Sequence, residues 1–164
     1  MTTLRDLEKY AKEDFIPFLK NHGFKLFGTF KFYREIEQGL YHVIDPEIHY
    51  GENLIVYIRC HVDEISSDMG FESGIVGGEL DPTREIKINN SYLWKIPDEM
   101  ASRKALEEIK KSLSDYALPF FDKVKNRKEL LKAVHPINVE EFQEDIDRIL
   151  EVIQQQEVEQ KQNG

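Results

Sequence analysis

Cysteine is almost missing from this sequence: the single thiol, Cys60, allows neither an intrachain disulfide framework nor a thiolate metal cluster. Cys60 falls within an apolar, strand-like segment and is expected in the core. No apolar run approaches the ~20 residues needed to cross a bilayer. Arg5, Asp6, Glu8 and Lys9 interrupt the first turns, where a secretory leader needs an apolar stretch. These absences predict a cytoplasmic protein that does not engage membranes.

Positive charge is also scarce. The chain has 22 basic and 31 acidic residues, net −9, and residues 136–164 hold 8 acidic and 2 basic residues of that total. Such a field repels phosphate backbones, which argues against nucleic acid as a partner, and it steers basic proteins toward the surface. With 164 residues, 40% of them hydrophobic, the chain suffices for one well-filled core and is short for a second independent domain.

Familiar catalytic signatures are missing too. None of the five histidines, His22, His42, His49, His61 and His135, has the spacing of a zinc-binding pair. The segment Gly74-Ile75-Val76-Gly77-Gly78 lacks the lysine and Ser/Thr of a phosphate loop and precedes Glu79 and Asp81, so it reads as a flexible connection. Ser66, Ser67 and Ser73 have no nucleophile-elbow context. Carboxylate pairs such as Glu35 and Asp45 are too common in this composition to be informative.

What the chain does contain is clear periodicity. Leu4, Leu7, Ala11, Phe15, Phe18 and Leu19 form a helical stripe after Thr3, which caps together with Asp6. Pro17 predicts a kink in it or a break near Phe15. Gly23 suits the left-handed position past the helix end, with Phe24 folding back on Leu19. Residues 29–35, 40–47 and 54–63 then read as strands joined by short glycine-bearing connections, which predicts an antiparallel meander. In the third strand Leu54, Val56, Ile58, Cys60 and Val62 share one face, expected to be core, and Ile55, Tyr57, Arg59 and His61 share the other.

Residues 64–84 are rich in glycine and read as a long irregular connection, followed by short strands at 85–89 and 91–96 with Trp94 as an anchor. Pro97-Asp98 opens a helix carrying Met100, Leu106, Ile109, Leu113 and Tyr116 on one face, and Leu118-Pro119 closes it. Asn126 and Glu129 form a capping pair ahead of Leu130, Leu131 and Val134. Asn138 and Glu141 signal the last helix, with Ile137 stapled to Phe142 and a stripe of Val139, Phe142, Ile146, Ile149, Leu150 and Ile153. From Gln154 onward the run of Gln and Glu should fray.

The predicted fold is α+β: an antiparallel sheet of about five strands, with an N-terminal helix and C-terminal helices packed on one face. Residues 1–135 form the domain, residues 136–156 an acidic amphipathic helix packed on it or on a partner, and residues 157–164 a disordered tail.

The segments Phe18-Leu19-Lys20, Gly23-Phe24-Lys25, Thr29-Phe30-Lys31-Phe32-Tyr33-Arg34-Glu35, Trp94 and Leu118-Pro119-Phe120-Phe121 occur in an order that resembles the bacterial family called domain of unknown function 4304, across about residues 5–134. The resemblance implies a small bacterial α+β domain without an established activity, and it carries over no catalytic residues. The acidic helix after Pro136 lies outside the shared pattern.

Three sets of candidate residues follow. Arg34, Tyr57, Arg59 and His61, with Tyr33, make a polar sheet face suited to a carboxylate or phosphate ligand. His42, His61 and Asp63 are a weaker divalent-metal alternative. Phe142, Ile146, Ile149 and Ile153 make an interface stripe that either packs on its own domain or forms a homodimer. No cofactor is implied. The leading expectation is a non-enzymatic interaction module, accessory or immunity-type, that masks a basic protein. The alternatives are a small-ligand binder or enzyme built on the Arg59/His61 face, and a structural homodimer.

Overall fold

The computed structural model describes residues 1–65, 76–81, 84–87 and 92–164, with residues 84–87 described by their backbone. Thr3 opens helix α1 (Leu4–Tyr10) with a reciprocal box, its Oγ1 accepting the Asp6 N–H at 3.2 Å while the Asp6 carboxylate accepts the Thr3 N–H at 2.8 Å. The stripe then breaks, and α2 (Phe15–Asn21) begins where the proline argument allowed. Pro17 sits in the first turn of α2, where a missing N–H costs no intrahelical bond. The α2 end is a Schellman motif: Gly23 has φ 84°, its N–H reaches the Lys20 carbonyl, and the Phe24 N–H reaches the Leu19 carbonyl, both at 3.0 Å.

Among the described residues six strands follow in chain order, every neighbouring pair antiparallel: β1 (Lys25–Phe27), β2 (Lys31–Glu37), β3 (Leu40–His49), β4 (Asn53–Val62), β5 (Val76–Asp81) and β6 (Arg84–Lys87). A short β7 (Trp94–Lys95) pairs with the start of β4 at Asn53 and Leu54. The expected meander is present, with two strands the sequence pattern did not announce. One is β1, too short to show a period. The other is β5, whose Gly77 and Gly78 were expected in a flexible connection. At Gly77, with φ 144°, a Cβ would collide with the Ile58 carbonyl oxygen, so glycine is what lets β5 approach β4. The loop serines, Gly74, Ile75 and residues 88–91 lie outside the described residues.

Leu54, Val56, Ile58, Cys60 and Val62 are completely buried on one sheet face, within a core shared with Leu7, Phe15, Leu19, Leu106, Ile109 and Phe121 from the helices. Trp94 is anchored as expected, its Nε1 donating to Glu108 Oε2 at 3.1 Å. That glutamate belongs to α3 (Glu99–Ser112), which Asp98 caps through the Ala101 N–H. Two expectations for this helix need correction. Met100 is 81% exposed rather than on the buried face. Leu118-Pro119 does not end the helical run either: a π-turn at Leu113–Ala117 carries the chain into α4 (Leu118–Asp122), the Leu118 N–H bonding the Leu113 carbonyl and Pro119 falling in the first turn of the new helix. Pro119 has no N–H to continue that ladder, and the helical run passes it directly after the wider π-turn.

Asn126 caps α5 (Arg127–Ala133) as the pairing with Glu129 predicted, accepting the Glu129 N–H at 2.9 Å and donating Nδ2 to the Glu129 carboxylate at 3.0 Å. The last helix starts later than Asn138 and Glu141 suggested. Pro136–Asn138 is a 3₁₀ turn, Ile137 is exposed rather than stapled, and α6 runs over Gln143–Asn163. It stays helical through the Gln/Glu run that was expected to fray from Gln154.

Candidate functional site

Strand register separates the predicted site residues. Arg34 stands opposite His42 and His42 opposite Cys60, whereas Tyr33 stands opposite Val43 and Val43 opposite Arg59. Because successive side chains alternate faces, Arg34 and His42 lie on the helix-covered side, and Tyr33, Tyr57, Arg59 and His61 lie on the other. The expected grouping of Arg34 with Arg59 is thus corrected, and Tyr33 takes its place. The same parity puts His42 and His61 on opposite faces, so the His42/His61/Asp63 metal alternative has no common centre. Among the described residues no group of metal-ligating side chains forms such a site.

On the helix side, Arg34 Nε donates to His42 Nδ1 at 3.1 Å and Nη1 donates to the His22 carbonyl at 2.8 Å. The guanidinium lies 4.6 Å from the Phe24 ring centre, and the His42 ring stacks on Phe121 at 4.3 Å. Since Nδ1 accepts, the His42 proton resides on Nε2 and is donated to the Val124 carbonyl at 2.6 Å. Burial pushes the His42 pKa down to about 3; the bond to Val124 opposes the shift and the nearby Arg34 charge adds to it. Burial likewise raises the Cys60 thiol and keeps it unreactive. This arrangement ties β2 and β3 to the chain after α4.

On the opposite face, the buried Asp45 carboxylate is shared by two cations. Its Oδ2 lies 2.5 Å from Arg59 Nη1 and 3.6 Å from Lys31 Nζ. Arg59 also stands 3.8 Å from Glu47 Oε1 and 4.6 Å from the Tyr57 ring centre. His61 is buried and sits 3.9 Å from Asp63. Burial, then a hydrogen bond to Glu35, raises the Tyr41 pKa to about 12; burial, then Glu47, raises that of Tyr57. Arg59 is therefore consumed by internal partners. Asp45, its closest partner, is fourteen residues away in sequence, and only the β3–β4 register unites them.

A second charged cluster was not foreseen. Arg127, 2% exposed, is the first residue of α5. It binds Glu64 with two parallel bonds of 3.2 and 2.8 Å, Glu37 Oε1 at 2.8 Å and the Gln38 carbonyl at 2.8 Å. Burial opposes the guanidinium charge, yet the Glu64 and Glu37 bonds raise the Arg127 pKa above its usual value. The clamp ties α5 to the β2–β3 hairpin and to the end of β4. Gly39 in that hairpin has φ 78°, and a Cβ there would fall 2.8 Å from Arg127 Nη2. Its only sequence signal was one arginine after a capping asparagine.

Helix α6 divides the predicted interface stripe. Ile149 and Ile153 are buried in the domain's own core, while Phe142 and Ile146 are partly buried. Lys128 of α5 pairs with Glu157. The outward side keeps Leu150 44% and Val158 54% exposed, and Glu151, Gln154, Gln155, Val158 and Glu159 line one shallow depression there. Glu144, Glu151 and Glu159 form no salt bridge among the described residues. No helix among the described residues is long and apolar enough to cross a membrane.

No protein-family model, curated protein or solved structure matches this chain.

Proposed function

We propose that the protein acts by binding rather than by catalysis, and that it docks a basic partner protein on the outward side of α6. The supporting observation is the depression along that helix, where exposed Val158 lies among Glu151, Glu159 and two glutamines, with Leu150 exposed beside it. An apolar centre inside an acidic rim suits a partner with the inverse pattern. A second copy of this chain would bring like charges together, so a foreign basic surface is the better complement. The resemblance to domain of unknown function 4304 agrees with a small bacterial domain and contributes no site residues. The sheet face around Arg59 is a weaker ligand site because its arginine already serves Asp45, Glu47 and Tyr57.

The test is retention of cell proteins on the immobilised chain, followed by purification of any basic protein retained and a binding titration at about 50 and 300 mM salt. The reading expects affinity that falls with salt and is lost in Glu151→Lys/Glu159→Lys. Undiminished binding by that double variant would refute it.

A further inference from the structure

A cleft of about 190 Å³ opens between the β2–β3 hairpin, the start of α5 and the inner side of α6, where Glu37, Arg127, Ile153, Gln156 and Gln160 line it. This volume suits one long side chain rather than a drug-sized ligand. We propose that the cleft receives a lysine or arginine side chain from the basic partner, an inference that rests on the docking reading above.

The charge balance favours a cation. Arg127 brings one positive charge against two carboxylates, Glu37 and Glu64. Both oxygens of Glu64 bind the guanidinium, whereas Glu37 uses Oε1 alone, accepting from the Arg127 backbone N–H and from Nη1. Its Oε2 has no partner among the described residues, so that oxygen is left to accept from an incoming donor. At the rim Lys128 is neutralised by Glu157, which leaves no unpaired cation among the lining side chains to attract an anion. The side-chain amides of Gln156 and Gln160 make no hydrogen bond among the described residues, and their carbonyls supply further acceptors. Buried Ile153 offers an apolar wall for the methylene stem of the incoming residue. A guanidinium or ammonium head meets a carboxylate and amide acceptors, while its stem leaves water.

The probe is L-argininamide, titrated into the full chain and followed by NMR at the Gln156 and Gln160 side-chain amides and the Arg127 Nε–H. Saturable shifts are expected with argininamide and none with glycinamide or acetate. Glu37→Gln, which retains an acceptor for Arg127 but removes the charge, should weaken binding about tenfold. Gln160→Arg, at an exposed position that the fold does not need, should plug the cleft and abolish the titration. The outer-face variant Glu151→Lys/Glu159→Lys should bind argininamide like the parent, so undiminished partner docking by that variant, with its cleft intact, would count against the proposed function alone. Absence of saturable shifts, equal affinity in Glu37→Gln, or an equal response to acetate would overturn the cleft assignment even where the basic partner still docks.

Discussion

Arg34 and His42 face each other across β2 and β3 with Nε 3.1 Å from Nδ1, and that bond fixes His42 as a neutral Nε2–H tautomer. The proton has no second site to occupy without displacing an arginine, in a setting where burial already disfavours charge.

The consequence is a pH dependence of definite sign. The folded pKa of His42 is depressed to about 3 from 6.5, so the unfolded chain binds the extra proton on acidification and the folded chain does not. This contribution to stability is full above 6.5 and is lost as pH falls toward 3, at up to about 1.4 kcal/mol per pH unit. Urea unfolding of the parent and of His42→Gln at several pH values between 7 and 4 should show the parent losing stability faster. Parallel curves would contradict the assignment.

Arg127 should be the costliest single charge to remove. Arg127→Ala strands Glu37 and Glu64 in a largely buried setting and should cost about 3–5 kcal/mol. Arg127→Lys keeps the charge without the fork and should lie in between. Chemical denaturation measures both, and a loss below about 1 kcal/mol for the alanine variant would show the clamp to be incidental.

Asp45 gives a milder effect on the opposite face. Asp45→Asn removes the charge shared by Lys31 and Arg59, and about 1–3 kcal/mol of stability should go with it. Arg59→Met in the same chain should recover part of that loss, which a double-mutant cycle detects.

Gly77→Ala tests the close approach of β5 to β4. Its Cβ has no room beside the Ile58 carbonyl oxygen, so the variant should lose roughly 2 kcal/mol or more and expose β5 amides to hydrogen exchange. Gly28→Ala shares the left-handed strain but has open space around it, and should be milder.

Adjacent residues on α6 should respond oppositely. Ile149→Ala should cost about 2–4 kcal/mol, whereas Leu150→Ala should stay within about 0.5 kcal/mol of the parent. Equal effects at both positions would mean that the helix packs on its domain with a different side.

The elements that local chemistry specifies were legible in the residues themselves. The reciprocal caps of Thr3 with Asp6 and Asn126 with Glu129, and the bonds from Gly23 and Phe24 back to Lys20 and Leu19, all lie within a few residues, so spacing alone identified them. Alternation along β4 identified its core face for the same reason. The late start of α6 was not legible, because Asn138 and Glu141 carry a helix-start pattern that the Pro136–Asn138 3₁₀ turn overrides.

The sequence by itself determined the α+β class, the antiparallel meander and the acidic C-terminal helix, because these follow from periodicity, capping and charge. Only the tertiary structure decided which charges meet. The β2–β3 pairing shifts register between Glu35 and Glu37, so side-chain parity counted from the hairpin turn does not say which face Arg34 takes. Arg127 reaches Glu37 and Glu64 across 90 and 63 residues. Ion pairs depend on distance in space rather than along the chain, and those distances exist only once sheet register and helix packing are set.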